Sequence, residues 1–180
     1  MILGLCGANK NDDISNEMIL DDINAQIRKG DEVNEAPPAY RGDIVKDNEN
    51  DINDRYYGNN DIMANTPFHG CCRAGIIGAA HNYNDNLNGI ADNVEIMAIR
   101  AVPNGDEHDK DIALAIKYAV DNGAKVINMS FGKGFSPHKE WVDDAIRYAG
   151  SKGVLLVHAA GNDSRNIDVG YKFPNAIYAD

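Results

Sequence analysis

Apolar residues first fall into a regular pattern at Ile14, Met18, Ile19, Ile23 and Ile27, a helical spacing that predicts one amphipathic helix closed by Lys29-Gly30. Between residues 31 and 66 the pattern lapses. The stretches EAPPAYRGD and DNENDINDRYYGNND are dense in Asp, Asn, Gly and Pro, with neither a helical nor a strand period, so they read as polar loops. Thr66-Pro67 then opens a helix to about Ala80, and the apolar run at residues 94 to 99 reads as a strand. Ile112, Ala115, Ile116, Ala119 and Val120 stripe a further helix stopped by Asn122-Gly123, and Lys125-Val126-Ile127-Asn128-Met129-Ser130 follows as a buried strand. Ser136-Pro137 caps another helix, striped by Trp141, Val142, Ala145, Ile146 and Ala149, ahead of the strand Val154-Leu155-Leu156-Val157.

Strict alternation of helix and strand predicts an α/β fold, with a mostly parallel sheet covered on both faces because each crossover lays a helix over it. Residues 1 to 65 form a helix and an insertion-like polar region, and residues 66 to 180 carry the regular part. In parallel sheets, sites gather where strands end at their carboxyl side. Two places qualify: Ser130-Phe131-Gly132, and Ala159-Ala160-Gly161-Asn162.

The segment FHGCCRAGIIGAA builds a helix from residues that oppose one, since each interior glycine costs about 1 kcal/mol relative to alanine. Gly70, Ala74 and Gly78 recur at four-residue spacing and leave one face nearly bare. That face predicts a buried helix pressed against neighbouring backbone, with His69 in its first turn.

Composition narrows the possible functions. The chain has 180 residues, 43% of them hydrophobic, the size of one globular domain. Its 17 basic and 28 acidic residues give a formal charge of -11, which repels phosphate backbones and anionic lipids, so nucleic acid is excluded as a partner. No run approaches the roughly 20 apolar residues of a membrane span. Three cysteines make no disulfide framework, and a buried thiol acting as a small hydrophobe is their expected role.

Other constellations carry less. Gly132-Lys133-Gly134 follows a strand as a dinucleotide fingerprint does, but Pro137 stands at its third glycine. Asn84, Asn86, Asn88, Gly89 and Glu95 have the spacing of a calcium loop without its acidic first ligand, and the acidic loop before residue 66 could offer oxygens to a hard cation. Arg41-Gly42-Asp43 is a three-residue match that arises easily by chance. A cysteine-histidine pair would have to use Cys72, three residues from His69, because residues one or two apart on a helix do not face each other.

Taken in order, the segments resemble the subtilisin-like serine proteases. His69-Gly70-Cys71-Cys72-Arg73-Ala74-Gly75 is similar to the family's histidine segment, His-Gly-Thr-His-Val-Ala-Gly. Gly89-Ile90-Ala91 through Met97-Ala98-Ile99-Arg100-Ala101-Val102 resembles its next strand. Residues 126 to 132 resemble its substrate-binding strand, and residues 159 to 162 its oxyanion segment. The resemblance implies a three-layer αβα fold with a mostly parallel sheet, here incomplete at both ends. It implies that His69 is the general base and Asn162 the side-chain donor to the tetrahedral oxyanion. By the same resemblance, Ser130, Phe131 and Gly132 pair with an extended peptide substrate, and Ala159, Ala160 and Gly161 wall the adjoining pocket. No cofactor is needed for that chemistry. A structural calcium ion is common among relatives, and the loop from His81 to Gly89 fits that role in part. Export from the cell follows by analogy.

Departures from the family pattern are equally specific. The triad should run Asp, His, Ser along the chain. No Asp-Ser-Gly or Asp-Thr-Gly turn precedes His69, where Asp43, Asp54 and Asp61 lie in polar loops. No Gly-Thr-Ser turn follows Asn162, and Ser164 has the wrong neighbours. The expectation is therefore a central piece of a serine endopeptidase that does not hydrolyse peptides alone. The alternative is a degenerate homologue that binds peptides or partners without cutting.

Overall fold

The computed structural model describes residues 20, 23–24, 27, 44–63, 68–81, 88–102, 107–162, 164, 166–167 and 172–174. Its regular elements in those residues are α1 (Phe68–Gly78), α2 (Asp109–Asp121), β1 (Val126–Met129), α3 (Lys139–Ser151) and β2 (Leu155–His158). They belong to two compact units, one holding the described residues of 1–24 and 61–98 and the other those of 25–60 and 99–180.

In the larger unit, β1 and β2 pair in parallel with Val126 opposite Leu155 and Met129 opposite His158, and α3 is the crossover between them. The stripes read from sequence for α2 and α3 are buried except at Ala115 and Trp141, which are half-buried. Ile112, Ile116 and Val120 of α2 meet Val142, Ala145, Ile146 and Ala149 of α3 in one cluster with Met129 and Val154. Each fully buried large aliphatic contributes about 1.5–3 kcal/mol. Ala113, Ala145 and Ala149 have no exposed surface, so their small side chains let the two helices approach closely. On the strands, Val126, Leu155 and Val157 are exposed while Met129 is buried.

Both helices stop by the same device. After α2, Gly123 has φ +89° and donates to Val120 O, while Ala124 N donates to Ala119 O at 3.0 Å. After α3, Gly153 has φ +72° and donates to Gly150 O, while Val154 N donates to Ala149 O at 3.0 Å. These paired bonds satisfy helix-end carbonyls and turn the chain directly into the next strand, a conformation glycine adopts without strain. The helix starts differ from expectation. Ser136 does not cap α3; His138 holds that position without a side-chain cap bond. The buried Asp109 carboxylate takes the donors instead, accepting from Ser136 Oγ and His138 N, each at 2.8 Å.

Residues 47 to 57, expected as solvated turns, dock on α2. Lys110 and Asp47 have fully buried side chains, and Lys110 Nζ donates to Asp47 Oδ2 at 2.8 Å and to Asn48 O at 2.7 Å. Its ammonium also lies 4.6 Å from the centre of the Tyr57 ring. Tyr57 OH donates to Asp111 Oδ1, and His108 pairs with Glu49. Two oxygens of this acidic loop, Asp47 Oδ2 and Asn48 O, thus hold the Lys110 ammonium.

In the smaller unit, the expectation of a buried α1 is corrected. Cys72 is its one buried residue, while Phe68, Ile76 and Ile77 are exposed and nothing stands within 4 Å of a Cβ placed on Gly70 or Gly75. The bare face is used at one end only. Gly89 N, Ile90 N and Ala91 N donate to Ala79 O, Ile76 O and Ile77 O, satisfying carbonyls at the helix end. This return brings Gly89 so close that a Cβ there would lie 2.6 Å from Gly78 Cα. Residues 94 to 99 form no strand in the described sheet, which consists of β1 and β2. An apolar run supplies surface to bury, but a strand also requires a ladder partner.

The cysteine expectation is corrected as well: Cys72 is disulfide-bonded, and Cys71 is a free, exposed thiol. Consecutive helical positions point in different directions, so one thiol faces inward and the other outward. Leu20, Ile23 and Ile27 of the first predicted helix are helical, and each is about half exposed. Its remaining stripe, the Thr66-Pro67 start, Asp43 and the middle of the loop between His81 and Gly89 lie outside the described residues.

Candidate active site

His69 stands in the first turn of α1 and is exposed. Arg73 lies one turn on, and its Nη2 donates to His69 Nε2 at 3.2 Å. A guanidinium only donates, so this contact requires an unprotonated Nε2. Asp61, upstream of His69, accepts from Met63 N through Oδ1 at 3.0 Å. Asp54, in the other unit, accepts from Asn48 N at 2.7 Å and braces the docked loop.

The other expected site residues belong to the larger unit, and its strand register brings them together. Met129 lies opposite His158 at the ends of parallel neighbours, and Ala159 N donates to Met129 O at 3.1 Å. Residues 130–132 and 159–162 therefore leave the sheet side by side from its carboxyl edge. Ser130 Oγ accepts from Asn128 Nδ2 at 2.9 Å. Gly132 N donates to Glu107 Oε1 at 3.2 Å, and the neighbouring Lys133 exchanges backbone hydrogen bonds with Phe173. The Lys133 ammonium is held inside by Asp109 Oδ1 at 2.8 Å and Glu107 O at 2.7 Å. These contacts fix the segment after β1 from below.

After β2 the chain turns at Gly161, with φ +102°, and leaves Asn162 exposed.

Two residues of this edge were not singled out from the sequence. His158, which closes β2, is half-buried, and its Nε2 is buried with no hydrogen-bond partner among the described residues. Desolvation by burial moves its pKa below the usual histidine value, opposed by a backbone hydrogen bond with Phe131 and assisted by the Lys172 charge. Its ring stands edge-on to Phe131, 6.4 Å between centres. Lys172 lies over both glycines: a Cβ on Gly132 would fall 2.9 Å from Lys172 Cε, and one on Gly161 only 1.7 Å from Lys172 Nζ. A histidine ending the apolar run Leu155-Leu156-Val157 was a legible signal, because that position opens onto the carboxyl edge. Lys172 carried none.

Among the described residues, no group of His, Cys, Asp or Glu is arranged to hold a metal ion, and no helix is long and apolar enough to cross a membrane.

The chain is 44% identical over 96 residues to the "Thermophilic serine proteinase" of Bacillus sp. (strain AK1), covering 53% of this chain and 23% of that protein. It is 37% identical over 117 residues to the "Cell wall-associated protease" of Bacillus subtilis (strain 168), covering 64% and 13%. To "Thermitase" of Thermoactinomyces vulgaris it is 35% identical over 125 residues, covering 66% and 44%. The chain thus spans less than half the length of each of these relatives. No solved structure matches it. The Subtilase family profile matches residues 13–178, nearly the whole sequence, and with that family's three-layer α/β/α architecture behind the β1-α3-β2 unit, this chain belongs to the subtilases.

Proposed function

We propose that this chain supplies the substrate edge, general base and oxyanion donor of a serine-type endopeptidase that hydrolyses peptide bonds through an acyl-enzyme. The observation that carries the reading is the parallel register that sets residues 130–132 beside residues 159–162. An extended peptide adds to backbone there as a further strand, which suits unfolded protein substrates. His69 accepts the proton of an attacking hydroxyl and returns it to the leaving amine. The Asn162 amide donates to the oxyanion formed by that attack. No Gly-Thr-Ser turn occurs after Asn162 in these 180 residues, so the purified chain binds peptides without hydrolysing them.

The test is a titration of labelled unfolded peptides alongside a generic fluorogenic substrate. Binding without turnover supports the reading. Absence of binding removes the substrate edge, and turnover abolished by His69→Ala removes the claim of inactivity.

Exported relatives and the disulfide at Cys72 support an extracellular or cell-envelope location, since disulfides persist in oxidising compartments.

Arg73 favours a second reading, a homologue that binds peptides without cutting, because its guanidinium occupies the His69 nitrogen that a general base needs. Sequencing the DNA on both sides separates the two. In-frame Asp-Ser-Gly or Asp-Thr-Gly upstream and Gly-Thr-Ser downstream support the enzyme, and an intervening start and stop support the binding protein.

A further inference from the structure

We infer that Lys172 makes the pocket between residues 130–132 and 159–161 select an acidic side chain of the bound peptide. This rests on the peptide-docking reading above and goes beyond it by naming the substrate class.

The geometry comes from two glycines on different segments. Lys172 Cε is 2.9 Å from a Cβ position on Gly132, and Lys172 Nζ is 1.7 Å from one on Gly161. The side chain therefore spans the gap between the two walls, with its charge at the Gly161 end. Missing side chains at both glycines are what admit it.

The ammonium is lightly held. It donates to Ala160 O at 3.1 Å, and no carboxylate forms an ion pair with it among the described residues. An ammonium has three donors, and a surface lysine swings aside at little cost. A glutamate entering the crevice thus gains a counter-charge and displaces one hydrogen bond to a carbonyl. A lysine entering it meets a like charge.

The overall charge of -11 opposes an acidic ligand. Exposed charges beyond about 8–10 Å are largely screened at physiological salt, whereas Lys172 stands in the pocket itself, so the local cation decides.

The experiment titrates the full chain by fluorescence anisotropy with fluorescein-labelled Ala-Ala-Pro-Glu-amide and its Gln and Lys counterparts. The chain is expected to bind the Glu peptide about fivefold more tightly than the Gln peptide at low salt and the Lys peptide most weakly, as one partly exposed ion pair allows. Lys172→Met should equalise Glu and Gln, and Lys172→Glu should place Lys first; thermal melts confirm that both variants fold. Equal binding of all three peptides, or an order unmoved by the Lys172 variants, overturns this inference and leaves peptide docking intact. Failure of every peptide to bind overturns the docking reading and this inference with it.

Discussion

His69 and Arg73 show how one substitution redirects a side chain. A guanidinium at 3.2 Å from Nε2 consumes the lone pair that a base would use, at a position where the family pattern has an apolar residue. Arg73→Val should therefore raise the rate at which diethyl pyrocarbonate modifies His69. An exposed hydrogen bond of this kind is worth about 0.5–1 kcal/mol, so the change should be roughly two- to fivefold. Peptide mass mapping of the modified histidine reads it, and an unchanged rate would show that Arg73 does not guard the nitrogen.

At the sheet edge, His158 makes a prediction of opposite character. Its folded-state pKa lies below the unfolded value, chiefly through desolvation. The unfolded chain therefore binds more protons in the interval between those two values, and stability falls as pH drops below about 6.5 toward the folded pKa. Urea denaturation at pH 7.5, 6 and 5 should show a shallower pH dependence for His158→Gln than for the unaltered chain. Parallel curves would remove His158 from the acid sensitivity.

Elements differ in how much of their structure is local, and that decides which were legible in the sequence. Stripes at Ile112, Ile116 and Val120, and at Val142, Ala145, Ile146 and Ala149, announced α2 and α3, because one face of each helix meets a single neighbour. The residues after β1 and β2 were legible for a related reason, being contiguous segments at strand ends. Residues 94 to 99 were misread because an apolar run carries no information about its ladder partner. Residues 47 to 57 were misread because their anchor, Lys110, lies 63 positions from Asp47. Lys172 was invisible because only folding lays it across Gly132 and Gly161.

The docked loop carries the largest effect expected of a single substitution. Lys110→Met should destabilise the larger unit by about 3–5 kcal/mol, since it removes the Lys110 counter-charge from the fully buried Asp47 carboxylate. Replacing both partners, Lys110→Met with Asp47→Leu, should recover a large part of that loss, because no charge is then left unpaired. Urea midpoints of the two variants provide the check. A double variant no more stable than the single one would show that Asp47 is held chiefly by other donors.

Across the whole molecule the dominant quantity is the excess of 28 acidic over 17 basic residues. Like charges in such excess repel one another more in the compact chain than in the expanded one, so folding works against its own field. Salt acts on two populations of charge with opposite consequences. Exposed pairs such as Arg147 with Asp144 are screened and lose their small contribution. The inner pairs, Lys110 with Asp47 and Lys133 with Asp109, are buried and screened far less. What remains is relief of the net repulsion. Raising sodium chloride from 10 to 150 mM should therefore shift the urea midpoint upward, in contrast to a fold held mainly by surface ion pairs. Because the Debye length falls from about 30 Å to about 8 Å over that range, most of the gain should be complete by 150 mM. A midpoint that falls with salt would mean that exposed pairs outweigh the excess charge.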